Sequence, residues 1–195
     1  MVFDLGGVLV RLGGMPALRQ MLGTDSDDEI WRLWLESPWV RRYERGQCST
    51  EEFARGMVES NPLSLSPERF LDAFRNFPLG LYEGAAELVQ SLVVPSACFS
   101  NTNALHWEQQ PDAPQLRQLF HHTFVSHEMG LVKPDAEAFE HVVAALRCAP
   151  PRILFLDDNE LNVAGARAVG LDAHRADGLD AARRILEEQG LLTSD

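Results

Sequence analysis

The stretch Met1-Val2-Phe3-Asp4-Leu5-Gly6-Gly7-Val8-Leu9-Val10 sets a single carboxylate among nine uncharged residues. Residues 2 to 4 read as a buried strand that ends on an acid and runs into two glycines. A carboxylate leaving a buried strand costs stability unless a cation meets it. No second acid follows at position 6, where Gly6 stands. Only Val2 and Phe3 precede Asp4, so the first strand is short and the start of the chain is expected to lie upstream.

Beyond this stretch two textures alternate. From about Gly13 to Phe77, apolar residues recur three or four apart in "MPALRQML", "SDDEIWRLWLES", "STEEFARGMVES" and "SPERFLDAFRNF", which predicts helices. Three of them open on a Ser/Thr cap or an early Pro, and "STEEF" and "SPERF" carry an acid where it suits the helix dipole. After Phe77, strands at "SACFS", "HTFVS", "RILFL" and "LDAHRA" alternate with helices at "EGAAELVQSLV", "LHWEQ", "DAEAFEHVVAALR", "NVAGARAVG" and "LDAARRILEEQ". Such alternation predicts an α/β fold, a parallel sheet covered by helices on both faces. The expected division is a sheet domain from residues 1–12 and 78–195, with a helical unit, 13–77, inserted after the first strand.

With 195 residues and 45% hydrophobic content the chain can bury one sizeable core. Its formal net charge of -12 argues against nucleic acid or an anionic membrane surface as partner. An anionic substrate must therefore be held by local positive charge. Cys48, Cys98 and Cys148 form no C-x-x-C pair and support neither a disulfide framework nor a zinc site, so a cytoplasmic setting is expected. The apolar start is too short to cross a bilayer.

Asp4, Ser100 and the pair Asp157-Asp158 each end a predicted strand, and Lys133 sits in the loop after another. In an open parallel sheet the ligand crevice lies at those carboxyl ends. Taken singly, Asp158 or Asn159 could be a helix N-cap, as could Thr102 or Asn103, and Lys133 a solvated loop lysine. Together they form a constellation. Neighbouring carboxylates repel unless a metal ion or a proton relieves them, and acids beside a lysine and a hydroxyl describe Mg2+ holding a phosphoryl group.

"FDLGGVL", "FSNTN", "LVKPD" and "FLDDNELN" resemble, in order and spacing, the four motifs of the haloacid dehalogenase (HAD) superfamily of phosphohydrolases. The helical insert is similar to that superfamily's small cap domain. "YERGQCSTEEF", "SNTNALHW" and "SHEMGLVKPDAEAFEHVV" resemble the bacterial branch that includes the alpha-D-glucose-1-phosphate phosphatases. The resemblance implies a Rossmann-like core with a cap. It also implies Mg2+-dependent hydrolysis of small phosphorylated metabolites, sugar phosphates foremost, through an aspartyl-phosphate on Asp4. By the same resemblance Asp4, the carbonyl of Gly6 and Asp158 would hold Mg2+, with Asp157 and Asn162 beside them. Ser100 and the backbone of Asn101 would bind phosphate oxygens, and Lys133 would neutralise charge on the phosphoryl group and on Asp4. In the cap, Arg45 of "ERGQCST" would meet the substrate. The plainer alternative makes Glu44 to Ser49 a turn between two helices, with Gly46 needed for its backbone. Trp31, Trp34 and Trp39 read as cap core, and "RLGG" and "FPLG" as the crossings where cap and sheet could move.

Most phosphatases of the superfamily carry a second aspartate at the position of Gly6, which protonates the leaving oxygen. Such assistance is worth about 100-fold to 10,000-fold. Its loss points to substrates whose leaving group needs little protonation, such as an anomeric sugar oxygen or a phenol. Alternatively His106 or a cap residue supplies the proton. A competing expectation is a catalytically impaired protein that only binds a phosphate ligand. A true dehalogenase needs no metal and would have no use for Asp157-Asp158, and a phospho-accepting receiver places its acids and lysine in a different order.

Overall fold

The computed structural model describes residues 1–22, 24–26, 30, 33–34, 37–61, 65–110 and 112–193. β1 (Val2–Phe3) is the middle strand of a five-stranded parallel sheet. β2 (Val10–Leu12) and β3 (Pro78–Leu81) stand apart as an antiparallel ribbon. The sheet is completed by β4 (Ala97–Ser100), β5 (His122–Val125), β6 (Leu154–Asp157) and β7 (Asp172–Arg175), in the order β5-β4-β1-β6-β7.

Two residues suffice for β1 because both of its edges are paired. Val2 and Phe3 lie opposite Ala97 and Cys98 on one side and Phe155 and Leu156 on the other. The two-residue side-chain period then distributes the apolar groups between the faces. Phe3, Cys98, Leu154 and Leu156 enter one core layer, while Val2, Phe99, Phe155 and Ala173 enter the layer behind the opposite face. Helices Ala85–Gln90 and Leu179–Glu188 cover the first layer, and Ala136–Leu146 and Glu160–Ala168 the second. The chain leaves β1 in one direction along the sheet toward β4 and β5, and later returns to the other side for β6 and β7. The switch point therefore falls at β1, where a crevice is expected.

Between Gly14 and Arg75 the described residues are helical apart from connections, with helices Gly14–Leu22, Pro38–Glu44, Thr50–Ser60 and Pro67–Arg75. They share their own apolar cluster around Phe53, Phe70, Phe74, Met21 and Ile30. The expected caps form. Ser49 accepts the Glu52 N–H while Glu52 accepts the Ser49 N–H, and Ser66 accepts from Arg69. Trp34 and Trp39 pack against this cluster; Trp31 lies outside the described residues, as does part of "SDDEIWRLWLES".

The crossings differ from the expected Gly/Pro connections. They are tied into the β2–β3 ribbon, with the Gly13 N–H on the Phe77 carbonyl at 2.8 Å and the Tyr82 N–H on the Leu9 carbonyl at 2.9 Å. Two further elements, helix Ala113–Leu119 and the single turn Ser126–Met129, are also absent from the periodicity reading. No helix among the described residues is long and apolar enough to cross a membrane.

Candidate active site

Asp4, Ser100 and Asp157 emerge side by side because β4, β1 and β6 are neighbours in register. Lys133 reaches into the gap from the loop after β5. Its Nζ donates to Asp157 Oδ2 at 2.6 Å, to Asp4 Oδ1 at 2.8 Å and to the Phe99 carbonyl at 2.9 Å. A lysine can be buried this deeply because all three of its protons find acceptors. Burial alone would lower its pKa, but Asp157 and Asp4 together push it above the ordinary value, so the charge stays.

The loop that carries Lys133 is held by Asn101. The Asn101 side chain donates to the Lys133 carbonyl and accepts from the Lys133 N–H, both at 2.9 Å. Ser126 clasps Thr102 in the same reciprocal way through its hydroxyl. Ser100 is buried at the floor of the crevice, and its hydroxyl makes no hydrogen bond among the described residues.

The acids divide their work. Asp157 is fully engaged: Oδ1 accepts from the Asn159 N–H at 2.9 Å and from Asn162 at 3.0 Å, and Oδ2 accepts from Lys133. The helix after β6 is capped by Asn159, whose side chain accepts the Leu161 N–H, and the helix after β4 by Asn103, which accepts from His106. Asp158 is thereby free of a capping duty. Carboxylate oxygens of Asp4, Asp157 and Asp158 lie within 4.8 Å of one another. Burial, then the charges of Asp157 and Asp158, push the Asp4 carboxyl up to about 7 against the pull of Lys133. Burial and Asp157 raise Asp158 to about 6. Two acids that resist ionisation in this setting, one oxygen of Asp4 and the Asp158 carboxylate lacking side-chain donors among the described residues, make an oxygen set suited to a hard cation.

The glycines have separate reasons. Gly7 sits at φ +74°, and a Cβ there would lie 2.2 Å from Asp158 Oδ2, so only glycine lets the turn after β1 meet this acid. At Gly6 a Cβ would lie 3.3 Å from Leu12 Cδ1. A side chain at position 6 would thus need the exposed Leu12 side chain to give by a few tenths of an ångström.

Above the floor is a cavity of about 190 Å³. Leu5, Gly6, Ser100 and Asn101 bound its sheet end, and Tyr43, Glu44, Phe74 and His106 line it farther up. The expectation for Arg45 is altered here: Arg45 Nη2 pairs with Asp135 at 2.6 Å, and Arg41 Nη2 bonds both oxygens of the same carboxylate. Its neighbour Glu44 faces the cavity instead. Gly46 meets the turn requirement at φ +66°, and a Cβ would also strike the His127 carbonyl at 2.4 Å. His106 lines the cavity with both ring nitrogens engaged, Nε2 with the Phe74 carbonyl at 2.7 Å and Nδ1 with Asn103 at 3.3 Å, and burial lowers it to about 4. Periodicity had no means of finding Glu44, since a glutamate at the end of an amphipathic helix usually faces solvent.

A family model described as haloacid dehalogenase-like hydrolase matches residues 1–170. A sesquiterpene phosphatase of Aspergillus oryzae is 28% identical over 191 residues, covering 91% of this chain and 90% of its own. A D-ribitol-5-phosphate phosphatase of Bacteroides thetaiotaomicron is 23% identical, covering 88% of each. An (S)-2-haloacid dehalogenase of Pseudomonas is 24% identical, covering 87% of this chain and 79% of its own. Among solved structures, a HAD family enzyme from Bacteroides thetaiotaomicron, in complex with magnesium and inorganic phosphate, superposes with a TM-score of 0.73 at 23% identity, covering 90% of this chain and 92% of its own.

Proposed function

Because this chain belongs to the haloacid dehalogenase-like hydrolase family, we propose that it is a Mg2+-dependent phosphatase of small phosphate monoesters, with Asp4 as nucleophile. The observation that carries this reading is the Lys133 ammonium bonded to both Asp4 and Asp157 at the sheet's switch point, with the Asp158 carboxylate close by and without an ion pair among the described residues. Asp4 Oδ1 is held by Lys133 at 2.8 Å, and of the two Asp4 oxygens one would face the cation while the other attacks phosphorus. A covalent aspartyl-phosphate splits one hard displacement into two easier ones. Lys133 offsets the charge on the phosphoryl oxygens, and the Ser100 hydroxyl and the Asn101 N–H orient them, since phosphoryl transfer depends mostly on positioning and charge stabilisation.

The residues present fit a magnesium ion: Asp4, the Gly6 carbonyl and Asp158 would hold it, with Asp157 and Asn162 fixing the surroundings. Bound there, Mg2+ supplies the positive charge that draws phosphoryl oxygens in and relieves the acids. Residues 13–77 serve as a cap that closes the site from water, with Arg41 and Arg45 latching it to Asp135. In this role Arg45 sets the cap's position relative to the substrate. For substrate class we place sugar phosphates first, supported by the motif resemblance and by the ribitol-phosphate phosphatase among the relatives. The dehalogenase relative does not shift this reading, because the third acid, Asp158, has no task in metal-free chemistry.

Hydrolysis of p-nitrophenyl phosphate with Mg2+ and with chelator, for wild type and Asp4→Asn, tests the reading. Turnover that needs both Mg2+ and Asp4 is the expected result. No turnover from folded, Mg2+-binding protein would favour the second reading, a phosphate-ligand binder in which Gly6 is the lesion.

A further inference from the structure

We infer that Glu44 is the general acid-base of this site, protonating the leaving oxygen from the cap side. The inference rests on the phosphatase reading above. An alkoxide is a poor leaving group, and an in-line displacement at phosphorus places it opposite the nucleophile. Asp4 does not itself line the cavity under the helical unit, but its neighbours Leu5 and Gly6 and the crevice residues Ser100 and Asn101 bound the cavity's sheet end, so a phosphoryl group held there would direct its departing oxygen into the cavity. A proton donor must then line that cavity and have a proton to give.

Three titratable side chains among the described residues line it: Tyr43, Glu44 and His106. The Tyr43 hydroxyl is 2.8 Å from Thr50, and burial raises it further above neutrality. His106 is neutral, with both nitrogens committed. Glu44 makes no hydrogen bond and no ion pair among the described residues. Its natural counter-ions are occupied elsewhere: Arg41, one turn back on the same helix, binds Asp135, and Lys133 binds Asp4 and Asp157. Glu44 is also the last residue of helix Pro38–Glu44, at the end where the helix dipole disfavours a negative charge. Burial raises its carboxyl to about 7, against the opposing charges of Lys133 and Arg41. A group poised near the working pH is what acid-base catalysis needs.

The chemistry balances in two steps. As the Asp4 oxygen bonds to phosphorus, the bond from phosphorus to the leaving oxygen breaks and that oxygen takes the Glu44 proton, leaving carboxylate. Water then attacks the aspartyl-phosphate and gives its proton to Glu44. Asp4 and the protonated acid are restored. With this donor in place, the preference for anomeric or phenolic leaving groups expected from Gly6 disappears, and simple alkyl phosphates become substrates.

The test compares Glu44→Gln with wild type on two esters, a sugar 6-phosphate, whose alkoxide needs a proton, and p-nitrophenyl phosphate, whose phenolate does not. The expected loss of kcat/KM on the sugar ester exceeds that on the phenyl ester by about 100-fold or more. Because the two losses are compared within one preparation, the ratio is independent of the fraction folded. Equal losses on both esters, or no loss on either, would overturn the assignment while leaving the phosphatase reading intact. Absence of wild-type turnover on both esters would overturn the phosphatase reading and the assignment with it.

Discussion

Replacing Lys133 by Met keeps the aliphatic stem and removes the charge that joins the two halves of the site. Three bonds disappear, those to Asp157 Oδ2, Asp4 Oδ1 and the Phe99 carbonyl, at a side chain only 1% exposed. Removing one partner of a buried ion pair costs about 3–5 kcal/mol because the other charge is left uncompensated. Asp157 retains the Asn159 N–H and Asn162, so the cost falls mainly on Asp4. In a chain of this size it corresponds to a fall in Tm of roughly 6–20 °C, at about 2–4 °C per kcal/mol. The loss must depend on pH. Without the lysine, Asp4 binds its proton still more tightly in the folded state, so the variant recovers stability on acidification. Thermal unfolding of Lys133→Met and wild type in chelator, at pH 8 and pH 5, should show the large deficit at pH 8 and a smaller one at pH 5. Equal stability of the two proteins at pH 8, or a deficit that ignores pH, would refute the picture of a lysine neutralising a buried acid cluster.

Two more outcomes follow from the same geometry. In chelator, wild-type stability should fall as pH rises from 5 to 8: Asp4 near 7 and Asp158 near 6 hold protons that carboxyls in the unfolded chain, with pKa about 3.9, have already lost, so the folded state binds more protons. Urea unfolding across that range checks the sign, and Mg2+ should flatten the trend; stability rising with pH in chelator would contradict it. Gly56→Ala should destabilise by up to about 2 kcal/mol, an overpacking cost of about 1–3 kcal/mol from an added Cβ 2.1 Å from the Trp39 ring less a gain in helix propensity of about 1 kcal/mol; a more stable variant on urea titration would show that the helices Pro38–Glu44 and Thr50–Ser60 are not packed as described.

Much of the site was legible because its parts sit at the ends of apolar runs. Ser100 and Asp157 each terminate a strand and Asp4 directly follows one, and a polar group there has little reason to exist apart from a ligand or a counter-ion. Ser49 and Ser66 announced their helices because capping is a local interaction between residues three apart. What escaped was non-local. The β2–β3 ribbon joins residues nearly seventy positions apart in strands of three and four residues, too short for a two-residue period to register. The sequence alone does not show that Arg45 pairs with Asp135, because the two lie ninety positions apart and no spacing rule links them. Glu44 was hidden for the opposite reason. Nothing in a single helix distinguishes a glutamate that faces open water from one that lines a cavity.

Gly6 illustrates both limits. Its departure from the superfamily's usual aspartate is visible in ten residues of sequence, whereas the Leu12 side chain close beside it and the Glu44 carboxyl that lines the same cavity are visible only in three dimensions.

The decisive measurement is mass spectrometry of protein quenched in acid during turnover of a phosphate monoester with Mg2+. The expected result is the mass of one phosphoryl group on the peptide that contains Asp4, present in wild type and missing in Asp4→Asn. Sustained turnover with no phosphoryl adduct, or an adduct on any other residue, would contradict Asp4 as the nucleophile.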